Sequence, residues 1–206
     1  DEARKAEILP YLERLRDETR IPVLYVSHSV AEVARLATTV VALSEGRVAR
    51  AGPAAEVMAD PEAFPLMGRQ EAGAVLAGRV VGHDAADGLT EIAVSRGRLF
   101  VPRALAEPGA EIRLRIRARD VAIATRPPEG ISMLNVLPAV VTRVGDGGGP
   151  VVEIGLASGE DRLLARITRR SLRTLGLAPG AECHAVLKAI AVGRRDIGAG
   201  EADPPR

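Results

Sequence analysis

Aromatic side chains are scarce in this 206-residue chain: two Tyr, two Phe and no Trp, 2% of the total. Core packing therefore falls to Val, Leu, Ile and Ala. The single cysteine, Cys183, excludes an internal disulfide and supplies no set of thiols for a structural zinc, a pattern that fits a reducing cytoplasm. Neither sign of charge dominates. With 28 Lys and Arg against 27 Asp and Glu, the formal net charge is +1, so no global field attracts nucleic acid or an anionic membrane. Any bound anion must be held by a local site. No run of about 18 apolar residues occurs, and the first residues carry charges where a signal peptide needs an apolar core, so neither a membrane span nor secretion is expected. The chain opens without Met, inside the helical pattern DEARKAEILPYLERLRDE, and residue 1 is read as a cut within a larger protein.

What is present is ordinary for a folded domain: 47% apolar and 27% charged residues argue against disorder. Ile8, Leu12 and Leu15 recur at helical spacing up to about Thr19, with Pro10 to be accommodated. The run VLYVSH reads as a strand buried on both faces. It hands over at His28 to a helix that Ser29 and Glu32 would cap as a Ser-x-x-Glu box. TVVALSEGRVARAG reads as two short strands turning at Ser44-Glu45-Gly46, and Pro53 opens a further helix. Residues 1–60 are thus expected to be an α/β piece. The stretch 61–72, with Pro61 and Pro65, lacks either period and reads as a linker.

From Gly73 the pattern changes to short β runs broken by Gly, Asp and Pro, and it repeats. GRVVGHDAADGLTEIAV aligns with PAVVTRVGDGGGPVVEIGL, and EPGAEIRLRIRARDVAIA with APGAECHAVLKAIAV. The PGAE segments at Pro108 and Pro179 are 71 residues apart and the Glu-Ile pairs at Glu91 and Glu153 are 62 apart, so the second copy carries nine extra residues. These are assigned to ITRRSLRTLGL, a helix with Thr168 as N-cap and Gly176 just past its end. Two β-rich repeats, about 75–128 and 132–192, suggest a pair of small five-stranded barrels of the oligonucleotide-binding (OB) type within 73–206. Arg113, Arg115, Arg117 and Arg119 alternate at period two and are expected to form one solvated strand face. His83 and His184 fall on separate repeats without metal-ligand spacing and are read as strand or surface residues; no metal site is expected in the chain itself.

The segment VLYVSHSVAEVARLATTVVALSEGRV resembles the end of the nucleotide-binding domain of ABC transporters, in which a strand ends in a switch histidine before a helix. The resemblance covers about residues 1–58. It implies catalytic roles for His28, at the nucleotide γ-phosphate, and for Asp1, as the last residue of the loop that communicates across the ATP-bound dimer. The phosphate-cradling G-x-x-x-x-G-K-[ST] loop, the acidic Walker B strand end and the LSGGQ-like signature do not occur in the sequence, so this chain alone is expected not to hydrolyse ATP.

ISMLNVLPAVVTRV, ITRRSLRTLGLAPGAECHAVLKAIAV and the closing Lys188-Ala189 resemble the molybdate-binding (Mop/TOBE-type) modules. Such modules occur in molybdenum-pterin binding proteins, in molybdate-responsive regulators and at the C-terminus of molybdate importer ATPases. The resemblance implies that Ser132, Asn135, Lys188 and Ala189 lie at or near an oxyanion. A tetrahedral dianion needs hydroxyl and backbone N–H donors with a cation. Leu134 stands where many relatives have Arg, so Arg143 or Arg169 is a candidate substitute cation.

Together these expectations describe an α/β fragment of a P-loop ABC nucleotide-binding domain followed by an all-β module of two OB-like barrels. They imply the C-terminal part of the ATPase subunit of a molybdate importer. Its cofactors would be ATP and Mg in the intact subunit, and molybdate or tungstate would be the regulatory ligand. Its partners would be a second ATPase subunit and transmembrane permease subunits, at the cytoplasmic face of the membrane, with no nucleic acid. Alternatives are the ATPase of another importer, for sulfate, sugar, polyamine or iron, and a non-enzymatic molybdate-binding regulator or storage protein. A regulator would need a DNA-reading helix-turn-helix and a basic face.

Overall fold

The computed structural model describes residues 2–19, 21–63, 72–102, 104, 106–146, 148–193 and 196–199. Three helices and one hairpin make up the first part: α1 (Glu2–Glu18), α2 (Val30–Leu36), the strands β1 (Thr39–Ser44) and β2 (Arg47–Pro53), and α3 (Ala54–Ala59). The hairpin turns where expected. Glu45 and Gly46 take φ of 51° and 74°, and a two-residue turn of this kind needs positive φ at both positions to match the strand twist.

The expected α/β sheet of residues 1–60 does not form: β1 and β2 pair only with each other, antiparallel. Residues 23–28, read as a buried strand, have no regular structure. Leu24 is 92% and Val26 88% exposed. The physical reason is that a strand apolar on both faces needs paired neighbours and two covering layers, and among the described residues no strand lies beside it. What anchors the first part instead is packing on the second. Ala34 and Met58 bury against Val75, the Glu13 carboxylate accepts two hydrogen bonds from Arg35 at 2.6 and 3.0 Å, and Arg113 donates to the Ala37 carbonyl at the end of α2 (2.7 Å). Of the expected linker 61–72, residues 64–71 lie outside the described residues.

The remainder is two five-stranded antiparallel sheets. The first repeat contributes β3 (Gly73–Asp84), β4 (Leu89–Val94), β5 (Gly97–Pro102), β6 (Glu111–Arg117) and β7 (Val121–Ala124). The second contributes β8 (Asn135–Val144), β9 (Val151–Ser158), β10 (Asp161–Thr168), β11 (Glu182–Leu187) and β12 (Ile197–Ala199), with α4 (Arg169–Leu175) before β11. Strand orders are β12-β6-β3-β4-β5 and β10-β9-β8-β11-β7. The last strand of each repeat has therefore crossed over: β7 closes the second sheet on β11, and β12 closes the first on β6. Each long first strand carries a bulge at the matching place, between Val80 and Gly82 in β3 and between Val141 and Arg143 in β8. The bulge bends the strand so that one end pairs with β6 or β11 and the other with β4 or β9.

Exchange of end strands merges the two halves. One apolar cluster holds Leu76, Ile92 and Leu114 of the first repeat together with Leu137, Ile154 and Leu163 of the second, so the OB-like halves share a core rather than standing as separate barrels. The nine extra residues divide differently from expectation. Four lie in the longer β9–β10 hairpin, whose strands have eight residues each against six in β4 and β5. The other five lie in the connection that carries α4. That helix is capped as the sequence indicates: Thr168 Oγ1 accepts from Ser171 N–H at 3.0 Å, and Gly176 adopts φ 60°, ψ 33°.

The arginine face of β6 is a second correction. Arg115 is only 2% exposed, because α2 and the segment leading into β12 cover that face. Arg113 meets Ala37 there, and Arg115 and Arg117 meet Asp196. Alternation along the strand identified a shared face correctly but could not show what lay over it.

Candidate oxyanion site and the comparisons with known proteins

The candidate oxyanion residues come from two chain segments that meet at one end of the second sheet. Asn135, the first residue of β8, is the Cα partner of Leu187, the last of β11. Lys188 follows immediately, then a 3-10 turn over Ala189–Ala191. Ser132 and Leu134 precede Asn135 in the bend entering β8, both exposed. Lys188 is exposed and Ala189 buried, and among the described residues no carboxylate pairs with the Lys188 ammonium. The fold thus brings a hydroxyl-bearing segment and an unneutralised cation to the same edge.

Asn135 has a specific task of its own. It is 1% exposed, its Oδ1 accepts from Phe100 N–H at 2.6 Å and its Nδ2 donates to the Phe100 carbonyl at 2.9 Å. The amide thereby completes the backbone pairing of β5, a strand of the other repeat, and fixes the junction against which Ser132 and Lys188 stand. The Ser-x-x-Asn spacing marked this residue, but its partner Phe100 carries no sequence signal.

Neither suggested substitute cation reaches this edge. Arg143 lies eight positions along β8, roughly 26 Å away, where it pairs with Glu62 and, at 3.9 Å, with Asp60. Arg169 donates to the Gly149 carbonyl at 2.8 Å. A cleft of about 550 Å³ beside Leu134 is walled by His83, Asp84, Asp87, Glu91 and Phe100; its carboxylates repel a dianion, which leaves the Lys188 edge as the anion candidate. His83 serves the fold: its ring nitrogens meet Thr90 Oγ1 at 2.8 Å and the Ala106 carbonyl at 3.1 Å. No cluster of His, Cys, Asp or Glu suited to a metal ion occurs among the described residues.

In the first part, His28 is exposed between Ser27 and Ser29. Ser29 caps α2 with a long contact to Glu32 N–H (3.4 Å). The Glu32 carboxylate accepts from Ser27 Oγ at 2.5 Å and from the Tyr25 hydroxyl at 2.9 Å. Burial, reinforced by the Glu32 carboxylate, pushes the Tyr25 phenol above its ordinary pKa. The helix half of the strand-to-helix handover at His28 is present, and the strand half is not. Asp1 lies outside the described residues. No described helix is long and apolar enough to cross a membrane.

A repeat has matching corners, and the first one has its own. Arg117-Ala118 occupies the place of Lys188-Ala189, 71 residues earlier. Each basic residue precedes a 3-10 turn, with φ, ψ of −76°, 137° at Arg117 and −74°, 139° at Lys188. The surroundings differ. Ala74 pairs with Ile116 in β6 as Asn135 does with Leu187 in β11, so no amide stands there, and Arg117 faces Asp196.

Comparison with known proteins agrees with this architecture. Residues 131–192 match the TOBE domain family. In solved structures, the cytoplasmic molybdate-binding protein ModG, determined with molybdate bound, superposes with a TM-score of 0.54 over 61% of this chain and 95% of its own, at 24% identity; that likeness is one of fold. Among curated proteins, molybdenum import ATP-binding protein ModC of Mesorhizobium japonicum is 50% identical over 97% of this chain and 54% of its own length. ModC of Rhizobium meliloti is 50% identical over 93% and 54%. The chain therefore spans about half the length of the curated relatives it matches; across nearly all of its residues it is similar to the molybdenum import ATP-binding proteins, and its residues 131–192 match the TOBE domain family.

Proposed function

We propose that this chain is the C-terminal part of the ATPase subunit that powers molybdate import, and that its β-module senses the transported oxyanion. Residues 1–60 are the end of the nucleotide-binding domain and 73–206 the sensing module. The observation that carries the reading is that Asn135, three residues after Ser132, pairs with Leu187, which Lys188 and Ala189 follow directly, in a chain half identical to ModC proteins over nearly its whole length.

Chemically, the edge suits a tetrahedral dianion. The Ser132 hydroxyl and the Ala189 backbone N–H donate, Lys188 supplies the charge, and Asn135 holds the neighbouring strand in place. Molybdate and tungstate share the size and charge such donors recognise. In the intact subunit ATP supplies the phosphoryl transfer with Mg, and His28 and Asp1 belong to its γ-phosphate side and dimer contact. The exposed run Val23–Val26 supports this assignment, since it has the composition of a strand that pairs within a larger sheet. A second subunit and membrane-embedded permease subunits complete the importer, at the cytoplasmic face of the membrane. A regulatory ligand must bind one transporter state better than another, and a module packed on α2 and α3 is placed to pass that preference on.

Titration calorimetry of the 206-residue chain with molybdate and with tungstate tests the sensing role. Binding that weakens about ten- to a hundredfold in Lys188→Ala, the worth of a charge-assisted hydrogen bond, is expected. No heat from either oxyanion, or unchanged affinity in the variant, overturns it.

A further inference from the structure

The first repeat's counterpart of the proposed anion edge is not open. Arg115 and Arg117 project from one face of β6, and both guanidinium groups converge on the Asp196 carboxylate, at 3.2 and 3.5 Å. Asp196 is 4% exposed, and its second oxygen accepts from Gly193 N–H at 3.3 Å. Two cations and a backbone amide around one carboxylate form the donor set expected of a site for an anion carrying more than one negative charge. Arg117 Nε is in addition buried with no acceptor among the described residues. The carboxylate arrives in the segment between the 3-10 turn Ala189–Ala191 and β12; in the first repeat the corresponding turn, Ala118–Asp120, runs straight into β7. The stretch between this turn and β12, which has no counterpart in the first repeat, therefore delivers an acid to the first repeat's basic corner.

We propose that Asp196 is a built-in ligand that fills the first repeat's anion seat. The module then keeps a single open seat, at Lys188, and loss of the carboxylate turns Arg115, Arg117 and Gly193 N–H into a second site for a tetrahedral dianion. The equivalence of the two corners rests on the sensing role proposed for Lys188, whereas the Arg115–Arg117–Asp196 cluster does not depend on it. By holding β12 against β6, the same carboxylate also latches the exchanged strand.

The test uses the full chain in a Lys188→Ala background, which weakens the open seat, and compares Asp196, Asp196→Ser and Asp196→Ala by thermal unfolding with millimolar sulfate or molybdate. Both Asp196 variants are expected to melt lower than their parent without the anion. With either anion near saturation, they are expected to regain about 5–10 °C beyond the general salt effect seen in the parent. Adding Arg117→Ala should abolish the extra gain. Equal shifts in parent and variants, or a gain that survives Arg117→Ala, overturn the proposal. Should Asp196→Ala not fold, Asp196→Ser, whose short side chain also empties the seat, gives the same readout. A molybdate shift in the Lys188→Ala parent as large as in the unsubstituted chain would count against the Lys188 seat and leave the Asp196 result to be judged on its own difference.

Discussion

The two repeats share a backbone plan and differ in what each does with its basic corner. In the first, Arg117 is met by Asp196 and its neighbour Ala72 packs with Ala118 and Leu164 in a small apolar cluster. In the second, Lys188 projects into solvent and Asn135 stitches the adjoining strand through Phe100. The backbone angles at Arg117 and Lys188 agree within a few degrees, so the difference lies in what surrounds each residue and not in its own backbone. Of two similar corners, the segment before β12, which has no counterpart before β7, closes one, and the other stays exposed.

If the repeats truly form one body, damage to either must register in both. Leu114→Ala in the first repeat and Leu163→Ala in the second, each fully buried in the shared core, are expected to cost about 2–5 kcal/mol. Each should lower one common denaturant transition of the β-module, followed by circular dichroism. Two separate transitions, only one of them moved, would divide the core. A sharper break falls at the corner. Asn135→Ala strands the Phe100 N–H and carbonyl without partners and should cost roughly 2–4 kcal/mol. Its counterpart is already Ala74, so nothing comparable can be removed from the first repeat. A loss below about 0.5 kcal/mol would mean that the Phe100 bridge holds nothing together.

The smallest expected effect concerns the hairpin tips, where Ser95 of the first repeat donates from its N–H to Asp161 of the second at 2.9 Å. Burial raises the Asp161 pKa above its ordinary 3.8, against the lowering influence of the Ser95 hydrogen bond. A raised carboxyl holds its proton more tightly in the folded state. Its contribution to stability is therefore full below pH 3.8 and is lost as pH climbs through the raised value. Asp161→Asn keeps an acceptor for Ser95 and removes that loss. Stability at neutral pH is expected to change by no more than about 0.5 kcal/mol, and the stability difference between variant and parent is expected to shift in the variant's favour as pH rises through the acid range in urea titrations. A difference that shifts in the parent's favour over the same range would contradict the raised Asp161 pKa.

What the sequence made legible was local. The turn at Glu45-Gly46, the Thr168 and Gly176 caps, the repeat and the Ser29 cap each depend on a few neighbouring residues, and each is where the pattern places it. Apart from the division of the nine extra residues, the misreadings involve partners distant in sequence. VLYVSH has the composition of a buried strand, yet composition cannot supply the neighbours it needs. The β6 arginines alternate as a surface face does, yet Asp196, some 80 positions later, buries one of them. The exchange of β7 and β12 leaves no mark on periodicity, since a strand reads the same whichever sheet receives it. At the candidate site, the motif residues were legible by resemblance, whereas Phe100 was not, because it contributes only backbone atoms.

The contrast between an open corner and a filled one is tested most directly by molybdate affinity in paired variants of the 206-residue chain, Lys188→Ala and Arg117→Ala. The account predicts that Lys188→Ala weakens binding about ten- to a hundredfold and that Arg117→Ala leaves it within about twofold of the parent, since its guanidinium is committed to Asp196. Equal weakening by both, or loss of binding in Arg117→Ala alone, would contradict it.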